Sequence, residues 1–365
     1  MKIAMISPLW GPAYPTGSGV YAFELSKRMA ELGHEVHVFT SQTGNFTPLS
    51  LPENLHLRIL RTYGMLWGMN PITNVFPKLL EEDFDVVHVH SYIFYMSNNA
   101  AATRLLRDFR YVLNFHGGVN HNGVPNSCYW KMWVKDHFFD RTIGKATVRL
   151  ADKVLSISKS DLPLIKETFG ADAEYIPNAV STDMFNPTSN ESRTVTYVGK
   201  LEQWKGVEDL IEIFRNVNRE LKDVKFQIVG NGSMAEKVRK ESIPIHLTGH
   251  IPHNAMPALY QNSAISVLPS FMEGAPTTCM ESLACGVPCV ATSVGDTPEI
   301  IKNGKSGYLL EPGNTEEFAS CIVELLEDDA LRRRMGAEGR EHMVNNFSYD
   351  SVVKRMLEVY SRVEQ

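Results

Sequence analysis

An apolar run, a helical stretch and a second apolar run follow one another repeatedly along this chain, and no other feature limits its fold so strongly. KIAMIS (2–7) is short, apolar and bounded by Pro8, the mark of a buried strand. GVYAFELSKRMAELG (19–33) puts Val20, Phe23, Leu25, Met29 and Leu32 on an expected apolar helix face. Gly33 stops that helix and HEVHVFT supplies the next strand. Strand, helix and strand in this order imply a parallel sheet, because a two-residue hairpin cannot join parallel strands.

The alternation recurs. DVVHVHS (85–91) and YVLNFHG (111–117) read as strands with helical AATRLLRDF (101–109) between them, and KVLSIS (153–158) as a strand before helical SDLPLIKETFG. IPNAVSTDMFNPTSNESR (176–193) then breaks the pattern: it is polar, holds two prolines and has neither a helical nor a strand period. Beyond it VTYVGK, VKFQIVG, IHLTG, ISVLPS, PCVATS and YLLEP read as strands, with helices at 207–221, 255–262, 276–284 and 315–326. The expected organisation is an α/β domain over 1–180, a linker at 181–193, a second α/β domain over 194–345, and a last helix at 346–365 crossing back to the first domain. Two doubly wound halves of this kind would face each other across a cleft at the carboxyl ends of their sheets.

At 365 residues, each half can bury its own core. The 36 Lys and Arg against 42 Asp and Glu give a net charge of −6, which argues against nucleic acid as a partner. Five cysteines, an odd number, fit a reducing compartment. The opening MKIAMISPLWGP is too short an apolar stretch for a secretion signal, and no window approaches the ~18 apolar residues of a membrane span. The expectation is a cytoplasmic protein, at most peripheral to a membrane.

Two segments carry chemistry. Gly17-Ser18-Gly19-Val20-Tyr21-Ala22 has the form G-x-G-x-x-A, yet it lies ten residues beyond Ser7, and the second strand ends on Phe39-Thr40-Ser41 without an acid for a ribose. NAD is therefore disfavoured; a phosphate at a helix N-terminus and a structural turn remain. In SFMEGAPTTCMESLACGVP (270–288), Glu273 falls in a loop and Glu281 in a helix, seven residues apart, spaced to face a sugar and a ribose with a helix N-terminus between them. A bland reading stands beside it, since Thr278 and Glu281 form S/T-x-x-E, a capping box. Asp83-Phe84-Asp85 is formally D-x-D but precedes its strand, so it reads as a solvated strand entry; His88 and His90 alternate on one strand and read as buried neutral histidines rather than metal ligands.

The two-glutamate segment resembles the E-x7-E signature of the retaining glycosyltransferases of family 4, which have the GT-B fold of two Rossmann-like domains. VTYVGKLEQWKGVEDLIEIF resembles that family's element of strand, G-R-L, K-G and helix; IPNAVSTDMFNP, FQIVGNGS and GSGVYAFELSKRMAELGHEVHVFT resemble further elements in the family's order. The resemblance implies that Lys205 pairs with the donor diphosphate. Lys200 stands where Arg is usual, which loses the bidentate fork. It also implies that Glu281 accepts from ribose hydroxyls, that Glu273 lies near hydroxyls of the transferred sugar, that Gly274, Ala275 and Thr277 offer backbone N–H groups, and that His116 stands beside the reacting sugar. Gly17, Gly19 and Gly199 complete the donor-binding set. Pro276 and Thr277 depart from the family's Phe-Gly, and Pro276 has no N–H to give.

The implied activity is transfer of a hexosyl unit from a nucleoside diphosphate sugar, UDP- or GDP-linked, to an acceptor hydroxyl with retention, without metal or cofactor. The acceptor would be a glycan, a lipid-linked glycan or a small molecule. Two stretches are unusually apolar for loops, 62–76 and 128–153, and the second mixes aromatics with six basic residues; it reads either as a peripheral membrane contact or as a core helix with a solvated basic edge. The rival functions are a sugar-nucleotide 2-epimerase of the same architecture and an inactive nucleotide-sugar-binding scaffold.

Overall fold

The computed structural model describes residues 1–9, 17–43, 50–68, 70–117, 119, 129–188 and 191–363. The residues just before Gly17 and those at 120–128 thus lie outside the described residues, as do parts of the apolar stretches at 62–76 and 128–153. Two compact units form: Met1–Asn178 together with Val352–Gln365, and Ala179–Ser351.

The first unit is built on β1 (Lys2–Ile6), β2 (Glu35–Ser41), β3 (Leu55–Leu60), a hairpin of β4 (Thr62–Leu66) and β5 (Asn70–Thr73), then β6 (Val86–His90), β7 (Arg110–Phe115), β8 (Lys153–Ser156) and β9 (Ala173–Tyr175). Seven of these make one sheet in the order β3-β2-β1-β6-β7-β8-β9, parallel throughout. Every residue of β6, VVHVH, is buried, as a central parallel strand covered on both faces requires. The second unit carries β10 (Thr194–Val198), β11 (Lys225–Val229), β12 (Ile245–Gly249), β13 (Ile265–Leu268), β14 (Cys289–Thr292) and β15 (Gly307–Leu310), ordered β12-β11-β10-β13-β14-β15 and also parallel. In each sheet the order reverses beside the first strand, between β1 and β6 and between β10 and β13. Those are the points where an open α/β sheet leaves a crevice at its carboxyl edge.

Local signals explain the helices. Val207–Glu220 buries Val207, Leu210, Ile211, Phe214 and Val217 at helical spacing, with Glu208 and Asp209 in its first turn and Arg219 in its last. Gly17–Glu31 ends in a Schellman motif: His34 N–H bonds to Met29 C=O, Gly33 N–H to Ala30 C=O, and Gly33 has φ 88°.

Four expectations need correction. The buried face of Gly17–Glu31 is Tyr21, Ala22, Leu25, Ser26 and Met29, whereas Leu32 lies past the helix end and is exposed; small Ala22 and Ser26 let the helix lie close on the sheet. The helix expected at 101–109 is Tyr95–Thr103, buried through Met96, Ala100 and Ala101, which leaves Leu105 and Leu106 exposed. The stretch expected to be a linker, 181–193, belongs to the second unit: Phe185 is buried in its core, and Val180 bridges Ser348. The apolar stretch at 62–76 holds the β4–β5 hairpin rather than a loop, whereas that at 128–153 carries a helical run from Tyr129 to Arg149, as one of its two expected forms has it. An 18-residue helix, Asp329–Asn346, has no counterpart in the sequence reading. It buries Met335 and Met343 in the core and makes a close backbone approach between them, since a Cβ on Gly336 would lie 2.0 Å from Gly286 O.

Gly206 combines φ 68° with a position where a Cβ would lie 1.9 Å from Pro269 O. Gly206→Ala is expected to destabilise the second unit by roughly 2–3 kcal/mol, measured as a lower urea midpoint; an unchanged midpoint would mean that the backbone can yield there.

Candidate active site

The carboxyl edge of the second sheet gathers most of the residues singled out from the sequence. Gly199 and Lys200 follow β10; Tyr197 Oη donates to Lys200 C=O at 2.9 Å, and a Cβ on Gly199 would meet that hydroxyl at 2.7 Å. Lys200 itself is exposed. Lys205 ends a short 3-10 turn, Gln203–Lys205, and Glu273 lies in the loop after β13. Lys205 Nζ donates to Glu273 Oε1 at 2.6 Å, with the two side chains only 15% and 6% exposed. The ammonium also stands 4.6 Å over the Trp204 ring, a cation–π contact that limits its rotamers.

The backbone fixes this pair from both sides. Phe271 N–H donates to Trp204 C=O at 3.0 Å, and Gly206 lets the Lys205 turn close on Pro269. On the other side Asp296 N–H donates to Gly274 C=O at 2.8 Å, and Gly295, at φ 55°, passes where a Cβ would lie 2.1 Å from Glu273 O. The helix Thr277–Ala284 begins directly after. Pro276, at its N-cap, is buried and supplies no side-chain cap, and the first turn holds no acid. Its positive end is thus uncompensated by side chains. Gly274 is exposed with open space around it, and Ala275 and Thr277 are half-buried.

Glu281 sits inside that helix, so it does not close a capping box. Its Oε1 accepts from His253 Nε2 at 3.1 Å and its Oε2 from Tyr260 Oη at 3.3 Å. The carboxylate is 8% exposed beside an imidazole that is largely solvent-facing. The two glutamates therefore have separate partners: Glu273 holds a lysine, Glu281 a histidine and a tyrosine. Neither His253 nor Tyr260 could be singled out from the sequence, since PHNAMPALYQ carries no pattern that places them beside Glu281.

In the first unit, His116 follows β7, and its Nε2 lies 2.8 Å from His90 Nδ1. His90 Nε2 is 2.9 Å from Met5 Sδ, an atom that can only accept. We therefore assign the His90 proton to Nε2, so that His90 Nδ1 accepts from His116 Nε2–H and His116 Nδ1 keeps a lone pair. His88, stacked on His90, has Nδ1 2.6 Å from Tyr360 Oη. Burial pushes His116 and His88 down to about 3 and His90 well below its ordinary value, so all three are neutral near pH 7. Tyr21 sets its ring edge-on to His116 at 5.3 Å and to His90 at 6.0 Å. It thereby places the start of the Gly17–Glu31 helix, with exposed Gly17 and buried Gly19, at the same edge as His116. Ser91, between His90 and Tyr92, is held at φ 71°, a strained conformation beside this cluster. Asp85 accepts from Lys2 N–H and Asp83 pairs with Arg107, as suits a strand entry.

Residues 15–184 match the family model "Glycosyltransferase Family 4" and residues 181–342 match "Glycosyl transferases group 1". The chain belongs to the family 4 glycosyltransferases. It is 24% identical to N-acetyl-alpha-D-glucosaminyl L-malate synthase of Bacillus anthracis, over 95% of this chain and 94% of that one. Its fold is that of sucrose-phosphate synthase from Thermosynechococcus elongatus, at TM-score 0.77 and 20% identity, covering 100% and 99% of the two chains. Anabaena Alr3699/HepE in complex with UDP-glucose is similar at TM-score 0.71 and 16% identity, covering 99% and 100%. This glycosyltransferase therefore has the GT-B fold of two Rossmann-like halves. Among its described residues no helix is long and apolar enough to cross a membrane.

The buried histidines have a consequence for stability. Each is neutral when folded but titrates near 6.5 when unfolded, so the unfolded state binds more protons between pH 6.5 and about 3. Stability contributed above pH 6.5 is lost progressively as the pH falls through that window. The melting temperature is expected to drop between pH 7 and pH 5, and less so in His88→Asn; equal losses in the two proteins would show that His88 does not contribute to it.

Proposed function

We propose that this glycosyltransferase moves a hexosyl unit from a nucleoside diphosphate sugar to an acceptor hydroxyl with retention of anomeric configuration. The observation that carries the reading is the Lys205–Glu273 pair beside a helix start without a side-chain cap or acid. An ammonium has three donors and spends one on Glu273, which leaves two for a diphosphate. Lys205, exposed Lys200 and the N–H groups at Gly274, Ala275 and Thr277 would hold the leaving group, with Gly199 allowing close backbone approach. The Anabaena relative's complex with UDP-glucose supports a donor of this class.

Glu281, fixed by His253 and Tyr260, would accept from the ribose hydroxyls, and Glu273 would meet a hydroxyl of the sugar. His116 cannot serve as an acid near pH 7, so its free Nδ1 lone pair would accept from a sugar hydroxyl. Gly17 and Gly19 open a helix whose first turn also lacks an acid, and would face an anionic group. In the step itself the bond from the anomeric carbon to the phosphate oxygen breaks with its electrons on phosphate. The acceptor oxygen bonds to that carbon on the same face, and its proton passes to the departing phosphate oxygen. Lys205 and the helix start stabilise the charge that grows there, so transfer is expected without an added divalent ion. The acceptor is a hydroxyl of a glycan, a lipid-linked glycan or a small molecule. The free thiols Cys279, Cys285, Cys289 and Cys321 fit action in a reducing, cytoplasmic setting.

The test is thermal shift with UDP, GDP, ADP and NAD, without metal, followed by NMR of the product formed from the matching sugar nucleotides. One nucleoside diphosphate at ~100 times its Kd should stabilise the fold by about 2.7 kcal/mol, and the product should keep the donor's anomeric configuration. Formation of a new free sugar nucleotide without acceptor would favour epimerisation, and an inverted product would overturn the reading.

A further inference from the structure

Residues 129–149 leave large apolar side chains on their outward face. They run as an α-helix Tyr129–Val134, a π-helix Lys135–Gly144 and an α-helix Lys145–Arg149. In a π-helix residues five apart share a face. Lys135 and Asp140 are five apart, both buried, and paired at 2.6 Å, with Tyr92 Oη donating to the same carboxylate at 3.0 Å. Thr147, also buried, accepts from Asn98 Nδ2. The face toward the protein thus carries a buried ion pair and Thr147 beside core-packed Phe139 and Val148, while Trp130, Trp133, Phe138 and Ile143 on the other side are each more than half exposed. A helix shaped only by its own core puts its apolar stripe inward.

The β4–β5 hairpin repeats the anomaly. Tyr63, Met65, Leu66 and Trp67 are all exposed. Trp67 is held at φ 52° before Gly68 at φ 82°, a pair of positions that ordinarily take Asn, Asp or Gly. A bulky aromatic is a poor conformational choice there, so its side chain must be wanted for something else. Both elements hang on the loop after β6: Asn70 Nδ2 donates to Ile93 C=O, Tyr95 N–H donates to Asn70 Oδ1, and Tyr92 reaches Asp140.

Charge selects the occupant. The chain as a whole carries −6, yet Lys131, Arg141, Lys145 and Arg149 stand on the helical run, and Arg61 lies 5.4 Å from the Tyr63 ring on the hairpin. Tryptophan amid basic residues suits a lipid interface, with rings at headgroup depth and cations on anionic lipid. A second copy of this chain would instead bring like charges together.

We propose that the outward face of residues 129–149 and the tip of the β4–β5 hairpin dock this enzyme on an anionic lipid bilayer. The docking does not depend on the donor assignment. It is tested by co-sedimentation with vesicles of phosphatidylcholine, with and without phosphatidylglycerol, at low and high salt. Binding should require phosphatidylglycerol and weaken with salt. Trp130→Ser with Trp133→Ser, and separately Arg141→Glu with Arg149→Glu, should each weaken it at least ~10-fold, with circular dichroism unchanged. Trp67→Asn gives a second readout, since it should raise the melting temperature while lowering vesicle affinity, which a merely structural tryptophan would not do. Failure to bind anionic vesicles at low salt overturns the proposal, as does binding that these variants leave unchanged. A dimer lost in the same variants without vesicle binding would overturn it in favour of a second copy.

Discussion

A lysine ammonium held 2.6 Å from a glutamate carboxylate, both largely out of water, is the interaction on which the second unit's edge depends. Removing one partner from such a pair costs about 3–5 kcal/mol, because the other charge stays buried alone. The loops that carry the pair must therefore keep a fixed spacing. Gly206 and Gly295, each at positive φ where a Cβ would strike a carbonyl, allow the Lys205 turn and the Glu273 loop to close on their neighbours. The pair also explains why Lys205 is ready for an anion: its position is set before any ligand arrives, and only part of its hydrogen-bonding capacity is spent.

The first unit solves a different problem. Three neutral imidazoles, His88, His90 and His116, are lined up between Tyr360 and the sheet edge, each depressed by burial. A histidine there can orient a hydroxyl but cannot deliver a proton from an imidazolium. That suits a reaction in which the departing phosphate takes the acceptor's proton. Tyr360 comes from the last helix, whose residues from Val352 onward belong to the first unit, so the chain's end helps hold the histidine row.

Much of the architecture was legible because parallel strands buried on both faces tend to apolar runs: β1 and β14 read that way, and β6, β7, β10 and β11 stay mostly apolar or β-branched with two polar residues each. What escaped was structure whose cause is not an apolar period. Asp329–Asn346 buries only Met335 and Met343 of its apolar residues, beside a close backbone approach at Gly336; the 129–149 run buries an ion pair and exposes its tryptophans; and Phe185 makes part of the core out of a polar stretch. At the site, Lys205, Glu273, Glu281 and His116 stood out by motif, but which of them meet, and the partners of Glu281, did not. His253 and Tyr260 meet Glu281 only because separate elements converge. His90 meets His116 because β6 and β7 are neighbours, with His90 opposite Asn114. Such pairs follow from strand order, which is not written in any local segment.

The central claim is that Glu273 holds Lys205 in place to receive a diphosphate. Calorimetric titration of UDP into the wild type, Lys205→Met and Glu273→Gln, alongside turnover with the matching sugar nucleotide, tests it directly. The account predicts that Lys205→Met weakens UDP at least ~10-fold, the loss of one charge-assisted contact, and that Glu273→Gln, which loosens the lysine, weakens UDP as well, with turnover lost in both. Wild-type affinity for UDP in either variant would contradict it.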